Sequence, residues 1–141
     1  MADGESKSIS IAWNLPAPSA VSAAVRAAEV FAGAAGLGAG DAARLAIIIE
    51  ELVTNVMEHG GVRSDQCIEL SLATLGDDIA LTLEDPGAHF DPRGAPAPDP
   101  AASDRGGGAG IAMVQAWSRV LSYAATGGVN RLELVIPRLG K

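Results

Sequence analysis

A row of polar side chains borders the apolar face of one predicted helix. In the segment EELVTNVMEHG, residues 50–60, the side chains of Glu51, Asn55 and Glu58 fall together on the flank of the apolar stripe. A carboxylate and an amide therefore stand one turn apart at the edge of the core, where a cleft could hold a polar ligand. A solvated helix flank with an i,i+4 pair gives the same pattern, and His59 suits the helix dipole in the last turn. The row predicts a site only together with other signals.

Two further signals lie in the second half of the chain. In LEDPGAHFDP, residues 83–92, a strand ends at Asp85, whose carboxylate could accept a hydrogen bond from a ligand's amino group. Gly87 would leave room for a flat ring, although Asp-Pro-Gly is also ordinary turn chemistry. In RGGGAGIAMV, residues 105–114, clustered glycines lead into a helix, where backbone N–H groups and the helix start favour an anion. A dinucleotide fingerprint would follow a strand, and a Walker A loop needs Gly-Lys-Ser/Thr; neither condition is met.

Hydrophobic periodicity and turn residues predict the elements that position these segments. The expected order is strand, helix, helix, hairpin, long loop, helix, hairpin. The predicted bounds are an edge strand near 7–13, helices over 20–36 and 41–59, strands over 66–76 and 78–85, a loop over 86–108, a helix near 110–122 and strands over 119–126 and 130–138.

Residues at the helix ends refine this prediction. Ser19 and Asp41 are expected to cap the first two helices, and Gly60 is expected to close the second in a left-handed conformation. In the third helix one apolar stripe is expected to run from Ile111 to Leu121, through Val114 and Trp117.

The order of elements predicts the fold class. Strands that are neighbours in sequence imply a mixed, mostly antiparallel sheet, and three helices would cover one of its faces. We therefore predict an α+β fold, a two-layer α/β sandwich. A parallel, doubly wound sheet would need a helix between each pair of strands, and two pairs lack one. The length suits one domain, residues 1–141.

Composition narrows the function classes. A formal net charge of −7 with scattered basic residues argues against direct nucleic-acid binding and favours a basic protein surface as partner. Cys67 is the single cysteine, so no intrachain disulfide is possible, and two histidines make a zinc site unfavourable. The polar first residues are unlike a signal peptide, and no apolar run of about 18 residues occurs. We predict a cytoplasmic protein without a membrane span.

Read in order, the three segments resemble the N box and the two glycine boxes of the ATP-binding domain shared by gyrase, mismatch-repair ATPases, heat-shock chaperones and histidine kinases. The resemblance is closest to the small bacterial anti-sigma factor serine kinases, which consist of this domain alone. Their E-x-x-x-N-x-x-x-H-G pattern is present as Glu51, Asn55, His59 and Gly60. The resemblance extends from the first strand to the last, and it implies a histidine kinase-like ATPase fold.

The resemblance also implies ATP and Mg²⁺ as cofactors and assigns roles to the residues. Asn55 would bind the Mg²⁺ that bridges the ATP phosphates, and Glu51 would be the catalytic base acting on a serine or threonine hydroxyl. Asp85 would accept the adenine amino group, and residues 88–107 would form a lid. Further nucleotide contacts would come from His59, Gly87, Arg105, Gly108, Gly110 and Ile111.

Three departures from the family pattern bear on these roles. His89 stands where the first glycine box often has a second glycine. Arg105 lies one residue further from the second glycine box than expected. The final strand opens with GGVN where the family usually has Gly-Thr, so a nucleotide contact lacks its hydroxyl unless Asn130 substitutes.

The predicted function follows from the resemblance. The chain would be an ATP- and Mg²⁺-dependent protein serine/threonine kinase that also sequesters a sigma factor. Its phosphoacceptor would be an anti-sigma factor antagonist, whose phosphorylation switches the partner that the kinase holds, and the family suggests a homodimer. The alternative is a non-catalytic ATP-binding anti-sigma or adaptor module. A metabolic enzyme that binds a dinucleotide ranks below both, because no acidic residue follows a βαβ unit.

Overall fold

A computed structural model describes residues 8–88, 91–94 and 107–140 of the chain. The elements follow the predicted order. They are β1 (Ser10–Pro16), a 3-10 turn (Ala17–Ser19), α1 (Ala20–Ala35), α2 (Ala39–His59), β2 (Cys67–Leu75), β3 (Asp78–Asp85), a second 3-10 turn (Pro92–Gly94), α3 (Gly107–Trp117), β4 (Arg119–Thr126) and β5 (Val129–Pro137).

The strands form one five-stranded sheet in the order β1-β2-β3-β5-β4, and every neighbouring pair is antiparallel. Alternate residues of the three central strands are buried on one face, which packs against the helices. These residues are Ile68, Leu70, Leu72, Ile79, Leu81, Leu83, Leu132, Leu134 and Ile136. The α+β prediction is confirmed, with a sheet layer and a helix layer around one core.

The helix layer is built from two different surfaces. In α2 the large residues Leu45, Ile48, Ile49, Leu52 and Val53 recur at helical spacing and are almost fully buried. In α1 the buried residues are mostly alanines around one fully buried phenylalanine, so α1 can lie close to α2. Each large side chain removed from water stabilises the fold by about 2 kcal/mol. No helix in the described ranges is long and apolar enough to cross a membrane.

Two predicted helix ends differ from the structure. Gly60 does not adopt the left-handed conformation, since its φ is −86°; Gly61 does, with a φ of 67°. α3 ends at Trp117, so Leu121 lies not on its apolar stripe but in β4, with 49% of its surface exposed. The register between β4 and β5 shifts at Leu121. The apolar residue at this position therefore belongs to an irregular part of a strand and does not continue the helix.

The predicted caps are also corrected. Ser19 directly precedes α1, but its side chain makes no capping hydrogen bond; instead the hydroxyl of Ser22 donates to the backbone oxygen of Ser19. α2 begins two residues before Asp41, with Gly38 at the N-cap position. The first strand begins later than predicted and runs up to its proline, so β1 is the edge strand over Ser10–Pro16.

Asp41 ties the end of the chain to the start of α2. Its carboxylate is 2% exposed and accepts hydrogen bonds from the backbone N–H groups of Leu139 and Gly140, at 2.9 and 3.1 Å. The guanidinium of Arg44 donates to the same carboxylate at 2.7 Å. Burial alone would raise the pKa of Asp41, but these three donors outweigh it and hold the pKa below its ordinary value.

Replacing Asp41 by asparagine is expected to lower the free energy of unfolding by about 2 kcal/mol at neutral pH, because a buried charge-assisted network loses its acceptor. The pKa in the folded state lies below the ordinary value of 3.8. The stabilisation is therefore fully present above that value and is lost as pH falls through the folded pKa. Urea titrations across the acidic range measure it, with the exposed Asp77→Asn as control. Equal stabilities of wild type and Asp41→Asn at neutral pH would contradict this role.

Candidate functional site

The C-terminal end of α2 meets the turn after β3 in direct backbone contact. The N–H of Ala88 donates to the backbone oxygen of Gly60 at 2.8 Å. A Cβ atom on Gly87 would lie 2.7 Å from that oxygen and 3.0 Å from the Cα of Gly60. No side chain fits between the two backbones, so a glycine at position 87 allows the helix end and the strand end to touch.

Gly60 is required by the same junction for a different reason than the sequence suggested. A Cβ atom at this position would lie 2.5 Å from the backbone oxygen of Val56, which accepts the N–H of Gly60 at 2.8 Å. The glycine therefore provides space for a tight helix end and not a left-handed φ. Against the turn after β3, a Cβ on Gly60 would make only an ordinary contact, 3.6 Å from the N atom of Ala88.

Asn55 lies on α2 one turn after Glu51, and its side chain has a defined orientation. Its Nδ2 group donates to the backbone oxygen of Glu51 at 2.8 Å. The side-chain oxygen, Oδ1, has no hydrogen-bond donor among the residues that the structure describes. Amide oxygens are ligands that Mg²⁺ accepts, so Asn55 presents a candidate metal ligand from a half-buried position.

Glu51 is half-buried beside Asn55, and its electrostatic surroundings favour proton uptake. Burial raises the pKa of its carboxyl group above the ordinary value of 4.5, and the negative charges of Glu50 and Glu58 raise it further. A carboxylate with a raised pKa is a stronger base than an exposed one. The role of Glu51 as a base stays a prediction, which a raised pKa favours.

Asp85 is the last residue of β3 and is 7% exposed. One of its oxygens, Oδ1, accepts the backbone N–H of Gly87 at 2.8 Å and the Nδ2 group of Asn130 at 3.0 Å. The other oxygen, Oδ2, receives no donor from the described part of the chain. The carboxylate is therefore held by one oxygen and offers the other as an acceptor for a ligand's amino group.

Asn130 is a residue of the candidate site whose position the sequence alone did not give. It lies on β5 directly opposite Asp85 and is 2% exposed. Its Nδ2 group also lies 2.7 Å from the backbone oxygen of Gly87 and 3.3 Å from that of Ala88. Only the pairing of β3 with β5 brings it there, and the GGVN departure was the one sequence signal that singled it out.

The other predicted contact residues lie at the end of α2 and on α3. His59 is 59% exposed, and its Nε2 atom lies 3.9 Å from a carboxylate oxygen of Glu58. Gly108 and Gly110 are in the first turn of α3, and Ile111, which follows them, is buried. The predicted nucleotide contacts of these four residues stay predictions.

The predicted lid is described only in part. Arg105 and most of 88–107 lie outside the described residues. Of the remainder, Asp91 and Arg93 form an ion pair at 2.6 Å, and the backbone oxygen of Pro92 accepts the Nε2 group of Gln115 on α3 at 2.6 Å. The short turn at Pro92–Gly94 is therefore attached to α3.

The donor set suits Mg²⁺ bound mostly through a ligand's phosphates. Within the described ranges, no three His, Cys, Asp or Glu side chains come together in a way that could hold a metal ion. Mg²⁺ usually keeps several waters and takes only one or two protein ligands beside substrate phosphates. The unengaged oxygen of Asn55 fits such a site as its protein ligand.

A groove of about 740 Å³ lies elsewhere, along the start of α1. It is lined by Ala17, Pro18, Ser19, Ala20, Val21, Ser22, Val25, Arg26 and Glu29, together with Glu50 and Met57 of α2. None of Glu51, Asn55 and Asp85 takes part in it. The acceptor oxygens of Asn55 and Asp85 and the contact between Gly60 and Gly87 lie outside this groove. The candidate site is therefore assigned to the end of α2 and the turn after β3, because of its chemistry and not its volume.

Similarity to one family of known proteins extends over most of the chain. A family model described as the histidine kinase-like ATPase domain matches residues 15–136. The match covers most of the chain and includes α2, the turn after β3 and the start of α3. A comparison with curated proteins gives no match.

Proposed function

Because the chain belongs to the family of histidine kinase-like ATPase domains, we propose that it is a protein serine/threonine kinase that uses ATP and Mg²⁺. Membership in the family implies ATP binding and, in general, ATP-dependent chemistry. The serine/threonine specificity rests on the resemblance of EELVTNVMEHG to the anti-sigma factor kinases and on the environment of Glu51. Phosphoryl transfer needs positioning and charge stabilisation more than covalent help, which suits a site with few reactive groups.

One observation supports the proposal above the others. Two oxygens, Oδ2 of Asp85 and Oδ1 of Asn55, receive no donor from the described residues, and they belong to the two elements that the Gly60–Gly87 contact joins. A nucleotide has an amino group at its base and a cation at its phosphates, so it offers a partner for each acceptor. A ligand with only one of these groups would leave one acceptor unused.

Each residue has a role in the proposed reaction. Asp85 accepts the adenine amino group, and Asn55 holds the cation, which when bound neutralises phosphate charge. Glu51 takes the proton of the acceptor hydroxyl as that oxygen bonds to the γ-phosphorus and ADP leaves. His59, Gly87, Arg105, Gly108, Gly110 and Ile111 complete the proposed nucleotide contacts.

The proposed partners come from the same resemblance. The phosphoacceptor is an anti-sigma factor antagonist, and the second partner is a sigma factor held or released according to the phosphorylation of the antagonist. The net charge of −7 supports basic partner surfaces. A homodimer in the cytoplasm is part of this proposal.

A second candidate, a non-catalytic ATP-binding anti-sigma module, has one observation in its favour. The amide nitrogen of Asn130 is engaged by Asp85, Gly87 and Ala88, so it cannot replace the hydroxyl that the family usually offers to the nucleotide. Incubation with labelled ATP and candidate antagonists separates the two functions. Label on a serine or threonine of the antagonist supports the kinase, and nucleotide binding without transfer supports the module.

Asp85→Asn and Asn55→Ala are each expected to weaken Mg-nucleotide binding about tenfold or more, because each removes a charged or metal-binding acceptor. Isothermal titration with ADP and Mg²⁺ measures the loss. Asp78→Asn, at the opposite end of β3, is the matched control and should bind as wild type does. Wild-type affinity in either site variant would remove that residue from the pocket.

A further inference from the structure

We propose that Asn130 is the positioning residue that fixes the carboxylate of Asp85 and thereby makes the site selective for a 6-amino purine over a 6-keto purine. The inference rests on the proposed nucleotide binding and adds the base selectivity to it. Asn130 belongs to the GGVN segment, where the chain departs from the family pattern.

The amide of Asn130 has two N–H groups, and the protein offers them three acceptors. The nearest is the backbone oxygen of Gly87 at 2.7 Å, followed by Oδ1 of Asp85 at 3.0 Å and the backbone oxygen of Ala88 at 3.3 Å. The side chain is 2% exposed. Its donors are therefore used inside the protein, and they act on a ligand only through Asp85 and the turn.

The two donors to Asp85 converge on the same oxygen. Asn130 and the N–H of Gly87 both bind Oδ1, so rotation of the carboxylate would break two hydrogen bonds at once. The amide of Asn130 also bridges the carboxylate to the turn that rests on Gly60. Oδ2 is thus held in one direction, relative to a backbone that cannot shift easily.

A fixed carboxylate oxygen distinguishes two kinds of purine. Adenine presents an amino group at position 6, which donates to such an oxygen, whereas hypoxanthine presents a keto oxygen, which repels it. The neighbouring N1–H of hypoxanthine would be a donor for a carboxylate that could move. A carboxylate held by Asn130 cannot turn toward that N1–H group. The selectivity therefore depends on the hydrogen bond from Asn130 as well as on the charge of Asp85.

The test compares ADP with IDP, which differ at that position, by isothermal titration with Mg²⁺. The wild type is expected to prefer ADP about tenfold or more. In Asn130→Ala the preference should fall to roughly twofold or less, with weaker ADP binding, because Asp85 loses one of its two donors. In Asn130→Thr, whose hydroxyl can donate one hydrogen bond, an intermediate preference is expected.

The controls separate positioning from stability and from the proposed function. Val135→Ala, on the same strand and equally buried, should lower the melting temperature and leave the ADP-to-IDP ratio unchanged. If Asn130→Ala does not fold, the ADP-to-IDP ratio of Asn130→Thr tests the inference in its place. An unchanged ratio in the folded Asn130 variant overturns the inference but leaves nucleotide binding intact. Absence of any nucleotide binding by the wild type overturns both.

Discussion

Glu51→Gln is expected to slow the proposed phosphoryl transfer to the antagonist by orders of magnitude while Mg-nucleotide binding is retained. The base acts as the hydroxyl oxygen bonds to phosphorus, so its loss raises the barrier of that step and not the dissociation constant of the nucleotide. General-base catalysis contributes a factor of roughly 10² to 10⁴, and the rate of labelled phosphate transfer should fall by about that factor. Titration with ADP measures the retained binding.

The same variant is expected to be more stable than the wild type at neutral pH. The pKa of Glu51 is raised in the folded state, first by burial and then by Glu50 and Glu58, so its ionised form opposes folding. Protonated Glu51 stabilises the folded state. This stabilisation is fully present below the ordinary pKa of 4.5 and is lost as pH rises through the pKa of the folded state. Melting curves against pH should show this loss in the wild type and not in Glu51→Gln.

Glu50→Gln is the matched control, since it removes a neighbouring exposed carboxylate from the same helix. It should retain transfer within a few-fold of wild type, because Glu50 lies away from the row that includes Glu51. Its removal also takes away one of the charges that raise the pKa of Glu51, so the acid limb of the rate profile should move to lower pH. Full transfer by Glu51→Gln would show that another group is the base.

Gly87→Ala is expected to lose both stability and nucleotide binding. The added Cβ would lie 2.7 Å from the backbone oxygen of Gly60. Backbone atoms of Gly60 cannot rotate away as a side chain can, so the helix end and the turn must separate. Overpacking of this kind costs about 1–3 kcal/mol, and the separation would also move Asp85 relative to Asn55. Urea unfolding and ADP titration measure the two losses.

Gly33→Ala is the control for the glycine substitution itself. Gly33 lies inside α1, and a Cβ there would meet nothing within 4 Å. The alanine should stabilise the helix by roughly 0.5–1 kcal/mol and leave ADP binding unchanged. If Gly87→Ala also binds ADP as wild type does, the contact between Gly60 and Gly87 does not position the site.

Local sequence pattern determined much of this protein. The 3.6-residue period of α2 identified its buried face and placed Glu51 and Asn55 on the flank, because helical spacing is a property of neighbouring residues. Alternation and the turn at Gly76 identified the hairpin of β2 and β3 and placed Asp85 at a strand end. These inferences needed no contact between distant parts of the chain.

Only the tertiary structure decided which distant residues share the candidate site. Asn130 faces Asp85 through the pairing of β3 with β5, strands separated by α3 and β4, and no local period encodes that register. Gly60 and Gly87 meet because a helix end docks on a turn, so glycine is needed there for space and not for a left-handed φ. The carboxylate of Asp41 accepts a hydrogen bond from the backbone just after β5. The sequence indicated only a helix cap for Asp41. Each of these contacts joins segments far apart in sequence, and packing alone selects them.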